Sequence, residues 1–97
     1  MAIENGLIPK ELVKLLNYRI NEEEVSSRLY YAMHEWLDNQ GYFGASKMMK
    51  DWSEEEMEHA GWARSFLEAY GYLPEVNAID GPKATFSSLK DVMKRSL

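Results

Sequence analysis

Two stretches of this sequence repeat residues at alternating intervals of three and four, which keeps one stripe along one face of an α-helix. The first stripe is Leu16, Ile20, Glu23, Ser27, Tyr30, His34 and Leu37. The second stripe is Ala45, Met49, Trp52, Glu56, His59, Ala63, Phe66 and Tyr70. Between them, the segment 38–41 ends in Gly41 and is typical of a helix stop followed by an antiparallel neighbour. The pattern therefore predicts a hairpin of two long helices.

The remainder of the chain predicts a loop and a short third helix. Pro9 precedes the first helix, where its fixed φ favours helix initiation. Gly71 and Pro74 end the second helix, and no periodicity follows until Ser87 and Ser88 offer an N-cap. We expect an all-α fold with one domain over residues 1–97, made of helices over about 10–38 and 42–70, a loop over about 71–86 and a short helix over about 87–97.

Composition limits the kinds of protein that this chain can be. Its 97 residues allow one domain, and its net charge of -5 opposes binding to nucleic acid, which needs a basic face. Because the sequence contains no Cys, a metal site would use oxygen and imidazole ligands, which suits iron, manganese or zinc. Neither a secretory signal nor a membrane-spanning apolar run is visible, so we expect a cytoplasmic protein with no membrane partner.

Both stripes are interrupted by ionisable residues, Glu23 in the first and Glu56 with His59 in the second. A buried carboxylate needs a proton, a cationic partner or a metal, since burying it unpaired is costly. In an antiparallel hairpin Glu23 and Glu56 lie at similar depth, and the i, i+3 spacing points Glu56 and His59 the same way. These three residues are therefore candidate metal ligands. One Glu plus one Glu-x-x-His is half of the ligand set of a di-iron carboxylate bundle.

Ordinary structural explanations compete with this one. The run 54–59 could be a solvated face if the second helix is rolled so that Trp52, Met57 and Phe66 are buried instead. A histidine on a buried stripe is more often held by a hydrogen bond than by a metal. Tyr30 lies seven residues beyond Glu23 on the same stripe, so it is a candidate to act beside the centre or to be a core tyrosine with a bonded hydroxyl.

The chain resembles the first half of a bacterial non-haem ferritin. The segment 16–30 is similar to the first helix of that family, and Glu55-Glu56-Met57-Glu58-His59 followed by Leu73-Pro74 is similar to its second helix and the exit from it. The resemblance covers the chain from about residue 7 to residue 97. It implies a dinuclear non-haem iron centre in which Glu23 is a first-site ligand, Glu56 a bridging ligand and His59 the first-site imidazole, with Tyr30 as the tyrosine beside the centre.

Family members continue through further helices that supply the remaining ligands, and this chain does not. Either it is a fragment, or a homodimer or higher homo-oligomer completes a four-helix bundle, with each copy contributing one Glu and one Glu-x-x-His. The resemblance implies a ferroxidase that oxidises Fe(II) to Fe(III) with dioxygen or peroxide, for iron storage or detoxification. The alternatives are a peroxide reductase of the rubrerythrin kind, or a non-catalytic helical interaction module that retains relic ligands.

Overall fold

The computed structural model describes residues 8–96, which form three α-helices and no strand. Helix α1 spans Lys10–Asn39, α2 spans Phe43–Ala69 and α3 spans Leu89–Arg95. No helix in residues 8–96 is both long enough and apolar enough to cross a membrane. The prediction of an all-α chain with an antiparallel hairpin and a short third helix is confirmed. The predicted limits at residues 1 and 97 lie outside the described residues.

The two long helices each end at a glycine in the left-handed backbone region. Gly41 has a φ of 87° and Gly71 a φ of 82°, values that side chains with a Cβ rarely adopt. After Gly41, the amide of Tyr42 donates back to the carbonyl of Leu37 at 2.9 Å, and the same bond recurs after Gly71 at 3.0 Å. This Schellman arrangement satisfies carbonyls that a helix end leaves without partners. The two glycines therefore fix where α1 and α2 stop.

In residues 8–96 the core consists of two apolar clusters, one toward each end of the hairpin. The cluster near the turn between α1 and α2 contains Met33, Leu37, Met49, Phe86 and Val92. The cluster near the opposite end contains Ile8, Ile20, Ala60 and Leu67. Helix α3 packs only on the first of these clusters within residues 8–96, through Val92 and its neighbours, and Ser88 caps it by accepting a hydrogen bond from the Asp91 amide at 3.1 Å. The far end of the hairpin is therefore not covered by α3.

The connection between α2 and α3 lies against α1. The amide of Glu75 donates to the Asn17 side-chain oxygen at 3.0 Å. Further along, Ile79 lies beside Val25, in a cleft that both residues line. The connection therefore follows α1 toward the turn and delivers α3 to the cluster there.

Between the two clusters, a pair of serines holds the helices together. The Ser27 hydroxyl donates to the Ser53 carbonyl and the Ser53 hydroxyl to the Ser27 carbonyl, each at 2.8 Å. Both serines are buried, and such small side chains let the two backbones approach closely. Glu23 lies four residues before Ser27, and Glu56 lies three residues after Ser53. The serine pair therefore sets the depth at which the two glutamates face each other.

The face that α2 buries differs from the predicted stripe. Its buried residues are Ser46, Met49, Ser53, Ala60 and Leu67, most of them one position after a predicted residue. Trp52 and Phe66, which were predicted to be buried, are exposed. The apolar face of α2 is wider than α1 alone can cover. The spacing of apolar residues therefore predicted the middle of that face, whereas α1 contacts one side of it. An apolar edge of α2 is left uncovered within residues 8–96.

Candidate metal centre

Glu23, Glu56 and His59 come together midway along the hairpin. Each offers one ligand atom, and these atoms all lie within 4.8 Å of one another. Glu23 is buried, whereas Glu56 and His59 are half-buried. Helix α1 supplies the first carboxylate, and successive turns of α2 supply the second carboxylate and the imidazole. The separation is short enough for one divalent ion to reach all three after small side-chain adjustments.

The carboxylate of Glu23 is satisfied on one oxygen only. Its Oε1 accepts a hydrogen bond from Nη2 of Arg19 at 3.0 Å. Its Oε2 is buried and has no hydrogen-bond partner among residues 8–96. A buried charged oxygen without a partner is costly, and nearly all buried polar atoms in folded proteins have one. Glu23, which carries this unpaired oxygen, faces Glu56 and His59. A cation bound among the three residues would give the oxygen a partner.

Within the described part of the chain, neither the Glu56 side chain nor the His59 side chain forms a hydrogen bond. Nδ1 of His59 lies 4.0 Å from Oε2 of Glu56, too far for a hydrogen bond. By contrast, His34 on α1 has Nδ1 at 2.7 Å from the Ser46 hydroxyl, as expected for a structural histidine. The ordinary explanation for a histidine on a buried stripe therefore fits His34 but not His59.

The solvated-face explanation for the acidic run of α2 holds for part of that run. Glu54, Glu55 and Glu58 are exposed, whereas Glu56 is half-buried. The alternative roll of the helix also fails, because Trp52, Met57 and Phe66 are exposed. Oxygen and imidazole donors from two carboxylates and one histidine suit a divalent first-row metal such as iron, manganese or zinc. The residues present therefore fit iron.

Glu23, Glu56 and His59 form a three-residue group, and Tyr30 lies outside it. Its ring packs edge-on against Trp52, with centroids 5.7 Å apart, and it contacts the apolar cluster near the turn. Seven residues along α1 separate it from Glu23, which corresponds to roughly 10 Å along the helix axis. A role for Tyr30 in chemistry at the group remains a prediction.

Two residues that sequence reasoning passed over contact the group. Arg19 pairs with Glu23, and the only sequence signal for this was an i, i+4 spacing that is common on helix surfaces. Trp62 places its ring 5.2 Å from that of His59, centroid to centroid, although its side chain is exposed. It follows His59 by three residues, so the same helical spacing could have identified it.

An apolar groove adjoins the group on its open side. Its volume is about 550 Å³, and Glu23 and His59 lie on its wall. The other lining residues are mainly apolar: Leu15, Leu16, Arg19, Trp62, Ala63 and Phe66. The metal-ligand candidates are thus half enclosed by α1 and α2 and open on the side where the apolar edge of α2 is uncovered.

Comparisons with known proteins identify the family of this chain. A model of the ferritin-like domain matches residues 13–97. A probable bacterial non-heme ferritin-like protein of Haemophilus influenzae is 36% identical over 88 residues, which cover 91% of this chain and 53% of the relative. A bacterial non-heme ferritin of Escherichia coli is 30% identical over 90 residues, covering 93% of this chain and 54% of the relative.

Solved structures give the same result. An open-pore ferritin from Archaeoglobus fulgidus superposes with a TM-score of 0.82 at 28% identity, over 91% of this chain and 54% of that chain. This chain spans about half the length of the curated relatives and structures that it matches. The match extends across both long helices and the connection after them. The chain therefore belongs to the family of proteins built on the ferritin-like domain.

Proposed function

We propose that this chain binds Fe(II) through Glu23, Glu56 and His59 and promotes its oxidation to Fe(III) by dioxygen or peroxide. The observation that carries the proposal is the buried Oε2 of Glu23, which has no hydrogen-bond partner among residues 8–96 and belongs to a group with a second carboxylate and an imidazole. A cation at this point would satisfy the orphaned oxygen and balance the charge of both carboxylates. Membership of the ferritin-like family supports iron as that cation.

The three side chains have distinct roles in this proposal. Glu23 and His59 would hold one ion, and Glu56, whose ligand atom lies within 4.8 Å of theirs, would bridge that ion to a second one. Iron supplies the redox chemistry, because two Fe(II) ions together release the two electrons that reduce dioxygen to peroxide or peroxide to water. Tyr30, held against Trp52, is proposed as a nearby electron donor.

A second copy of the chain is proposed to complete the site. One hairpin supplies two carboxylates and one imidazole, and a copy related by a two-fold axis supplies the same set again, which is the ligand count of a symmetric di-iron bundle. The groove beside Glu23 and His59 is apolar and is bordered by the exposed rings of Trp62 and Phe66. Packing a second hairpin there would bury this surface and place its glutamates beside the first set.

The test compares Fe(II) oxidation in Glu56→Ala and in a matched control, Glu55→Ala. Both variants remove one carboxylate from the same acidic run, but Glu55 is exposed and outside the three-residue group. After Fe(II) is mixed with air, growth of ferric absorbance should be lost in Glu56→Ala and retained at the parent rate in Glu55→Ala. Oxidation at the parent rate in Glu56→Ala would refute the proposal. A parent protein that dimerises but takes up no Fe(II) would instead indicate a helical interaction module.

A further inference from the structure

Arg19 is a positively charged residue in contact with the three-residue group. It lies one helical turn before Glu23, and its Nη2 is 3.0 Å from Oε1 of Glu23. The Arg19 side chain is 63% exposed, whereas that of Glu23 is only 11% exposed. Arg19 also lines the apolar groove together with Glu23 and His59. The guanidinium therefore reaches the group from its open side, where an incoming ion would also approach.

We propose that Arg19 is a resident counter-ion of the metal-free group that a divalent metal must compete with. This inference rests on the proposed metal binding and identifies Arg19 as a residue that lowers the affinity of the site for metal. Without metal, Glu23 is a buried carboxylate that needs a positive charge nearby, and Arg19 provides it. With metal, the same positive charge repels the ion. The contact with Arg19 thus stabilises the empty site and weakens the loaded one.

The exposure of Arg19 makes this exchange possible. An arginine that is mostly in water gains little net free energy from one ion pair, so its head group can leave Glu23 and stay fully hydrated. Glu23 cannot move into water as easily, because its side chain is buried and faces Glu56 and His59 of α2. A metal that binds Oε2 and then competes for Oε1 therefore moves the guanidinium off Oε1 rather than moving the carboxylate. Arg19 stays one turn from Glu23 on α1, so its charge continues to repel the bound ion.

The size of the effect follows from Coulomb's law. A unit charge about 5 Å from a divalent ion, in a water-like dielectric, changes the affinity for that ion on the order of tenfold. The effect should decrease with added salt, because the Debye length falls from about 30 Å at 0.01 M to about 3 Å at 1 M. If the ion pair of Arg19 with Glu23 only stabilised helix α1, removing the charge of Arg19 would leave the metal affinity unchanged.

The chain contains a matched control for Arg19. Lys47 and Asp51 on α2 form an i, i+4 pair with the same 3.0 Å separation, but their side chains are 78% and 52% exposed. Neither lines the groove or belongs to the three-residue group. Arg19→Gln and Lys47→Gln each remove one positive charge from such a pair. A difference in metal affinity between the two variants would therefore arise from where Arg19 lies and not from the loss of charge alone.

The experiment measures Co(II) affinity by calorimetry and thermal unfolding of the metal-free protein. Arg19→Gln should bind Co(II) on the order of tenfold more tightly than the parent at low salt, with the difference shrinking at high salt, and should unfold several degrees lower without metal. Lys47→Gln should match the parent in both measurements, and Arg19→Lys should restore both parent values. A merely structural role for Arg19 would lower metal-free stability without tightening metal binding.

The outcomes separate this inference from the proposed function. If the parent binds Co(II) and Arg19→Gln binds it with equal or lower affinity, competition by Arg19 is refuted and metal binding at the group stands. If the parent binds no Co(II), both proposals are overturned. Equal tightening in Arg19→Gln and Lys47→Gln would attribute the effect to net charge and would also overturn the role assigned to Arg19.

Discussion

Replacing Glu23 by methionine should stabilise the metal-free protein and abolish metal binding at the same time. Glu23 lies buried on α1 with one carboxylate oxygen paired to Arg19 and the other without a partner among residues 8–96. Methionine has a similar length and no charge, so it removes the unsatisfied oxygen while filling most of the same space. The released Arg19 is already mostly exposed, so it returns to water at little cost. Sites built for binding often reduce stability in this way.

The expected magnitude is the difference between two opposing contributions. Removing the buried, unsatisfied oxygen relieves a penalty of about 1–3 kcal/mol. Losing the ion pair with the largely exposed Arg19 forfeits up to about 1 kcal/mol. The net stabilisation then lies between about 0 and 3 kcal/mol, and its middle value of about 1.5 kcal/mol corresponds to an increase in Tm of about 6–12 °C for a chain of this size.

The assay is thermal unfolding of the metal-free protein, followed by circular dichroism at one fixed protein concentration. Glu22→Met is the control, since Glu22 precedes Glu23 on α1 and is exposed. The control should change the free energy of unfolding by no more than about 0.5 kcal/mol and should keep metal binding. A Tm for Glu23→Met below that of the parent would show that the carboxylate stabilises the fold and that its unpaired oxygen does not destabilise the metal-free protein.

Three further predictions test the fold and the assembly. Met49→Ala should cost about 2–5 kcal/mol in denaturant unfolding, because Met49 is fully buried near the turn, and a loss below about 1 kcal/mol would contradict its place in the core. Gly41→Ala should cost about 1–2 kcal/mol from backbone strain alone, since a Cβ there meets no atom within 4 Å among those of residues 8–96, and unchanged stability would contradict the left-handed φ. Phe66→Gln should shift the sedimentation coefficient toward that of a monomer, whereas the control Leu73→Gln, at a site that is 91% exposed and outside the groove, should not. Equal behaviour of these last two variants would exclude the groove as the contact between copies.

The hairpin was predictable because its signals are local. Alternating spacings of three and four define a helix face, and Gly41 and Gly71 mark the stops where the structure has positive φ. On α1 the predicted stripe includes the buried residues Ile20, Glu23, Ser27 and Leu37, but the structure also buries residues outside it: Asn17, Ala32 and Met33. The connection after α2 and helix α3 also pack against α1, so α1 buries further residues, such as Asn17 and Met33, beside the face that α2 covers.

The second helix and the surroundings of the candidate site were less predictable. Periodicity gives the centre of an apolar face but not its division between two neighbours, so Trp52 and Phe66 were placed in the core and are exposed. The approach of Glu23 to Glu56 and His59 followed from matching depth in a hairpin, and metal binding there remains a prediction. The pairing of Arg19 with Glu23 became informative only when burial of one partner was known, which is a property of the tertiary structure.

The position of the candidate ligands beside an uncovered groove links metal binding to assembly. If a second copy adds ligands to the group, metal binds the dimer more tightly than the monomer. Linkage then requires metal to strengthen the dimer by a factor equal to the product of the affinity gains of its two ions. Co(II) affinity should then rise as protein concentration increases through the dimerisation range. Phe66→Gln, which leaves every candidate ligand of its own chain in place and adds no charge to the groove, should show the weaker affinity at all concentrations. Two measurements give the factor independently: the dimer dissociation constant with and without Co(II), and the Co(II) affinity of monomer and dimer. Agreement between them supports a site shared by two copies. Tight Co(II) binding by a monomer, unchanged on dimerisation, would show that one hairpin suffices and that the groove has another role.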